Sequence, residues 1–163
     1  MADTYFFLKL DGIKGESQDT DHSGEIDILS FSEGITNAGS FDEGTGGNTG
    51  QANFSELHFT KYVDQATPVL RQFCALGTSI DTATLSCNKQ AGDSKVEYLK
   101  ITAHHVVVTS TQSSGSGGST DPIPESFSLN YAGIEYDYKP QSNTGDASGG
   151  IHFGRDIQKN TNL

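Results

Sequence analysis

The sequence predicts a mostly β fold, a curved and closed antiparallel sheet with one short helix packed on its side. Three observations predict it. Apolar and polar residues alternate with period two over most of the chain. One segment alone combines helical spacing with helix caps. One long alternating run changes parity midway, which calls for an extra residue and a bend.

In chain order, strands are predicted over 5–10, 25–33 and 54–62. The helix follows: Thr67 suits the N-cap, Pro68 the first helical position and Gly77 the left-handed C′ position. Between them Val69, Leu70, Phe73, Cys74 and Leu76 recur at helical spacing. A strand over 82–87 sets Ala83, Leu85 and Cys87 against Thr82, Thr84 and Ser86. In the long strand 96–109, strict alternation puts Leu99, Ile101, Ala103 and Val107 on one face, with Val96, Tyr98, Val106 and Val108 on the other. The last strand, 126–139, carries the parity change. Phe127, Leu129 and Tyr131 are odd and Ile134, Tyr136 and Tyr138 even, with Ala132-Gly133 as the expected bulge. Three Gly/Ser/Thr/Asn-rich stretches, 34–50, 110–121 and 141–150, read as long loops.

The 163 residues fit a single domain, 1–163. Leu, Ile, Val and Phe number 35 against a net charge of −11, a thin apolar supply that favours a subunit stabilised by its neighbours. Ten dispersed Lys and Arg argue against nucleic acid, and the acidity against anionic membrane surfaces. No apolar run reaches the ~20 residues of a membrane span, and the first nine residues do not read as a secretory leader. Cys74 and Cys87 read as two small buried hydrophobes.

No catalytic or cofactor site is expected. Asp19, Asp21, Ser23, Gly24 and Ile26 look like the start of an EF-hand loop, but Ser30 stands where the bidentate Glu belongs. His104 and His105 are adjacent in a strand and point apart. His22, His58 and His152 lack partners at a ligand spacing. The Gly-rich segment 43–50 has no Lys-Ser/Thr of a phosphate loop, and no nucleophile elbow is present. A calcium- or glycan-binding β-sandwich using the acidic turn 19–27 is the alternative reading.

Several segments, in order, carry a family resemblance. They are Asp11-Gly12-Ile13-Lys14-Gly15-Glu16-Ser17 with Asp19 and His22, then Glu25-Ile26-Asp27-Ile28-Leu29, Phe59-Thr60-Lys61-Tyr62-Val63-Asp64 and Thr67-Pro68. Val96-Glu97-Tyr98-Leu99, Ser116-Gly117-Gly118, Leu129-Asn130-Tyr131 and Tyr138-Lys139-Pro140-Gln141 continue it. Together they resemble the haemolysin-coregulated protein (Hcp) family of type VI secretion. The resemblance implies a small β-barrel of two curved sheets with a helix on its side. It also implies a structural, non-enzymatic subunit that forms six-membered rings stacked into a tube. The implied partners are other copies of the chain, the spike protein, the contractile sheath and small effectors carried in the ring. The implied location is the bacterial cytoplasm before firing and the exterior afterwards.

Ser32 falls where the family places a lumen-facing residue linked to cargo, and Glu33 replaces a family aromatic, which puts aromatic packing there in doubt. Gln90, Gly92 and Asp93, with Phe41 and Asp42 in the long loop and Asn160 in the tail, are the expected ring-to-ring contacts.

Overall fold

The computed structural model describes residues 3–39, 51–140 and 149–163. In order the elements are β1 (Thr4–Leu10), β2 (Ile26–Ile28), β3 (Ser30–Ser32), β4 (Ile35–Asn37), β5 (Ala52–Phe54), β6 (Leu57–Tyr62), α1 (Ala66–Leu76), β7 (Ser79–Ala91), β8 (Ser94–Ser113), β9 (Pro124–Tyr138), β10 (Ile151–Asp156) and β11 (Thr161–Asn162). The mostly β expectation with one short helix holds. The expected loop stretches hold strands as well: β4 lies in the first, and β8 runs on into the second. Phe41 and Asp42 lie outside the described residues.

The small barrel of two curved sheets does not hold. Nine strands form one antiparallel sheet along the path β11-β10-β9-β8-β7-β1-β2, with β3 and β6 branching from β9, and β4 and β5 form a separate ribbon. Among the described residues the path stays open, since β2 ladders with β1 alone and β11 with β10 alone. The physical reason is the shortness of the elements at 26–32. Exposed Leu29 interrupts them, and its N–H reaches Thr60 O at 2.8 Å outside any ladder. Both neighbours of β9 are used: its first half pairs β6, its second half β10, and β8 runs along the other edge.

The parity change is real, but it is not a one-sided bulge at Ala132-Gly133. The β8–β9 register is unbroken from Leu99↔Tyr138 to Val108↔Leu129, although the pair His105 and Ala132 is skipped. On β7 the residue at the same level, Asp81, is skipped as well. His105 takes φ 51, a left-handed conformation uncommon for a residue with a side chain. All three strands therefore change their inward parity together. Ile80 gives way to Ala83, Ala103 to Val106 and Tyr131 to Ile134, and all six are buried. This corrects the alternation over 96–109, because Ile101, Ala103, Val106 and Val108 share the core face and Val107 does not. Because all three strands change together, the register is kept.

The first turn of α1 holds a buried polar centre. The N-cap is Gln65, without a side-chain bond, so Thr67 is not the cap. Instead the Thr67 hydroxyl donates to Glu125 Oε2 at 2.6 Å and accepts from Lys61 Nζ and Asp64 N, each at 3.1 Å. Lys61 Nζ lies 2.6 Å from Glu125 Oε2 and 2.8 Å from Asp64 Oδ1, with both the Lys61 and Glu125 side chains 0% exposed. Leu70 and Ala66 face the core, Gly77 closes the helix at φ 65 as expected, and Leu76 is left 70% exposed. Arg71 binds Thr111 and Ser113 of β8 at 2.8 and 2.9 Å, which seats the helix on the sheet.

Removing one member of a fully buried pair strands the other charge, at a cost of about 3–5 kcal/mol. Lys61→Met is therefore expected to lose that much in urea unfolding at fixed protein concentration, and adding Glu125→Leu should recover much of it. A loss below about 1 kcal/mol, the scale of an exposed pair, would contradict the assignment.

Candidate functional site

Ser32 belongs to an uncharged polar face built by alternation. In β3, Phe31 turns inward, with its ring edge-on to Phe6 at 5.1 Å, so Ser30 and Ser32 turn outward. In β6, Leu57 and Phe59 turn inward and His58 and Thr60 outward. Two rows then cross four strands. One runs Ser30, Thr60, Ser126, Gln112, and the other Ser32, His58, Ser128, Ser110, each step a direct cross-strand pair. At about 4.8 Å between strands the rows span roughly 14 Å. All but the buried Ser128 line a shallow cleft of about 300 Å³ floored by Phe31, Phe59 and Phe127.

The hydroxyls are bonded to one another. Ser30 Oγ meets Thr60 Oγ1 at 2.5 Å, and both Thr109 (2.8 Å) and Ser110 (2.5 Å) reach Ser128 Oγ. The register shift between Val108 and Ser110 places two β8 hydroxyls against that one serine. His58 is the single titratable member of the rows. Of the eight, the sequence singled out Ser32. The polar parity of 58–60 and 126–128 was visible, but pairing them required the ladder order.

Glu33, which the family resemblance sets in place of an aromatic, has a partner of its own. It accepts a 2.7 Å bond from Tyr136 Oη, and burial, with Glu33 second, pushes the Tyr136 hydroxyl above its ordinary pKa. A carboxylate thus ties the end of β3 to β9.

Gln90, Gly92 and Asp93 come together at the β7–β8 hairpin. Ala91 pairs Ser94 across the two-residue turn Gly92-Asp93, Gly92 has φ 63, and Gln90 Nε2 donates to Gly92 O at 2.9 Å. Asn160 lies apart from them, at φ 56 in the turn joining β10 to β11, where Arg155 donates to Asn160 and, at 2.9 Å, to Asn162.

Two carboxylates of the acidic turn have protein partners. Asp19 pairs with Lys95, which holds its carboxyl below the ordinary range, and Glu25 accepts from His22 Nδ1 at 3.0 Å. His22 stacks on Phe7 at 4.5 Å and accepts from Asn88 Nδ2 at 2.9 Å. Gly15 is required here, because a Cβ would sit 2.4 Å from Glu25 O. Among the described residues no group of three His, Cys, Asp or Glu could hold a metal ion. Cys87 is buried, its thiol pushed up to about 12 first by that burial, and Cys74 is half-buried.

Known proteins place this arrangement. The family model for "Type VI secretion system effector, Hcp" matches residues 7–138. The chain belongs to the Hcp family. Protein hcp1 of Pseudomonas aeruginosa is 41% identical over 155 residues, covering 94% of this chain and 95% of that one. Among solved structures, one of a type six secretion system protein is 34% identical with TM-score 0.93, covering 99% of this chain and 100% of the other. Hcp1 from Salmonella typhimurium is 31% identical with TM-score 0.79, each chain covered in full. This Hcp is a structural, ring-forming tube subunit of type VI secretion rather than an enzyme. Its partners are further copies of itself and the other parts of that machine.

Beside the Asn160 turn, His152 Nδ1 lies 2.7 Å from Asp137 Oδ1, and its Nε2 lies 3.2 Å from Leu163 O. The Asp137 bond first, and Leu163 second, raise its pKa. A raised histidine pKa means that the tie is fully present below the unfolded value of about 6.5 and is lost as pH rises through the folded value. NMR titration of His152 is expected to give a midpoint above ~6.5, with His152→Gln removing the matching pH dependence from amide protection in β10. A midpoint at or below the unfolded value would reject the tie.

Proposed function

We propose that six copies of this Hcp close into a ring whose hole is lined by the two hydroxyl rows, and that Ser32 contacts small effectors carried there. The supporting observation is the face itself, a cleft free of formal charge apart from His58 on a chain of net charge −11. Such a surface can hydrogen-bond a passing protein without selecting its charge. Rings stack through the Gln90–Gly92–Asp93 hairpin and the Asn160 turn, with Phe41 and Asp42, outside the described residues, as further candidate contacts. The spike caps the tube and the contractile sheath surrounds it. The subunit waits in the bacterial cytoplasm and leaves the cell when the tube is fired.

Ser32→Gln puts a longer amide into the cleft without adding charge. Cargo co-purifying with Ser32→Gln rings is expected to fall severalfold while the rings stay intact by negative-stain imaging. Unchanged cargo would reject the contact.

Six chains of −11 give a ring a formal −66, so like charge opposes stacking. Screening shortens to about 10 Å at 0.1 M salt. Sedimentation should therefore show longer stacks as salt rises, and shorter ones would overturn the electrostatic account.

A further inference from the structure

Within the two outward rows the hydrogen-bonding capacity is unevenly spent. Ser30 bonds Thr60, and Ser128 takes both Thr109 and Ser110. Ser32, His58, Ser126 and Gln112 have no side-chain partner among the described residues. Ser32 and His58 are both exposed and pair directly across β3 and β6. Their Cβ atoms therefore stand about 5 Å apart on one face, close enough for a single small group to meet both.

The group that fits this pair is a negatively charged acceptor. A serine hydroxyl and an imidazole N–H both donate, and one carboxylate accepts from both. A proton on the imidazole makes its bond charge-assisted and roughly twice as strong. A guest's lysine or arginine finds no counterpart, since neither Asp nor Glu lines the cleft. Around His58, β8 and β9 present only Ser110, Gln112, Ser126 and Ser128. From β3 come Ser30 and Ser32, with the Glu33 carboxylate beyond them engaged by Tyr136. On β6 itself Lys61 turns to the other face and is buried against Glu125, while Glu56, two residues ahead of His58, shares its parity.

We infer that His58, with Ser32 beside it, selects the guest by charge, and that it selects an acidic peptide segment held through a carboxylate. This rests on the reading of the cleft as the cargo surface. Among ordinary side chains, histidine is the one that changes charge between pH 5 and 8. While His58 is neutral the face is indifferent to charge. Once protonated, six copies around the hole set six positive charges on a wall with no other lining charge. The net −11 of the chain repels an acidic guest elsewhere, so the attraction is confined to that wall. It is present at low pH and lost as pH rises.

Fluorescence anisotropy with two labelled probes, hexaglutamate and a neutral Gly-Ser hexapeptide, reads the binding at about pH 6 and about pH 8 at equal ionic strength. Glutamate is ionised at both, so a change between them reports the protein. Hexaglutamate is expected to bind about threefold more tightly at the lower pH, the scale of one exposed ion pair, with the neutral peptide unmoved. His58→Asn should abolish that difference, and His58→Lys should keep the tighter binding at both pH values. His58→Asn protein that binds hexaglutamate as the wild type does would overturn the inference. So would a wild type that holds the two probes alike at both pH values, and either result leaves the Ser32→Gln cargo test standing. A wild type that shows no rings by negative-stain imaging, yet keeps the His58-dependent binding, would instead sink the ring reading and sustain the recognition.

Discussion

The three long strands depend on one row, Asp81, His105 and Ala132, at which every inward parity changes. A strand that alternates strictly along its full length commits each residue to one side. β8 has twenty residues, and strict alternation would send Val106 and Val108 outward if Ile101 and Ala103 faced the core. The skipped row lets both pairs be buried. It works only if neighbouring strands change at the same level, because a change in one alone shifts the register of the rest. The left-handed His105 is the local backbone cost of that arrangement.

Around this sheet the polar groups are placed with equal economy. Lys61 and Glu125 belong to neighbouring strands, and their charges meet beneath the first turn of α1 with Thr67 between them. A buried pair of this kind adds little net stability over apolar residues of similar volume, but it fixes which groups must meet. Here it ties β6, β9 and the helix into one arrangement. The loop before β2 is fastened in a similar way by His22, Glu25 and Asn88, and Gly15 admits the close approach of its backbone.

Much of this was legible from the residues. The positions of the principal strands, the closing Gly77 and the inward side of Ala83, Leu85 and Cys87 follow from short-range pattern. The parity change in β9 was visible because large side chains mark it. In β8 the same change was hidden among three consecutive valines, which suit either face. Thr67 reads as a cap because Thr-Pro usually opens a helix. Its hydroxyl was claimed by Glu125, 58 residues away, which no local pattern records. The barrel expectation failed for a related reason. Periodicity fixes which side a residue faces, whereas closure depends on ladders between short segments such as 26–28 and 30–32. The polar face shows the same limit, since Ser32 is one hydroxyl of an assembled set.

The hydroxyl rows have one more consequence. Serine and threonine bond water about as readily as they bond a polypeptide, so under the proposed function a guest on this cleft would exchange one modest contact for another. Grip on such a surface comes from many brief touches rather than from a single strong anchor. A conduit paved this way would hold its passenger loosely enough to let it go without a separate releasing step.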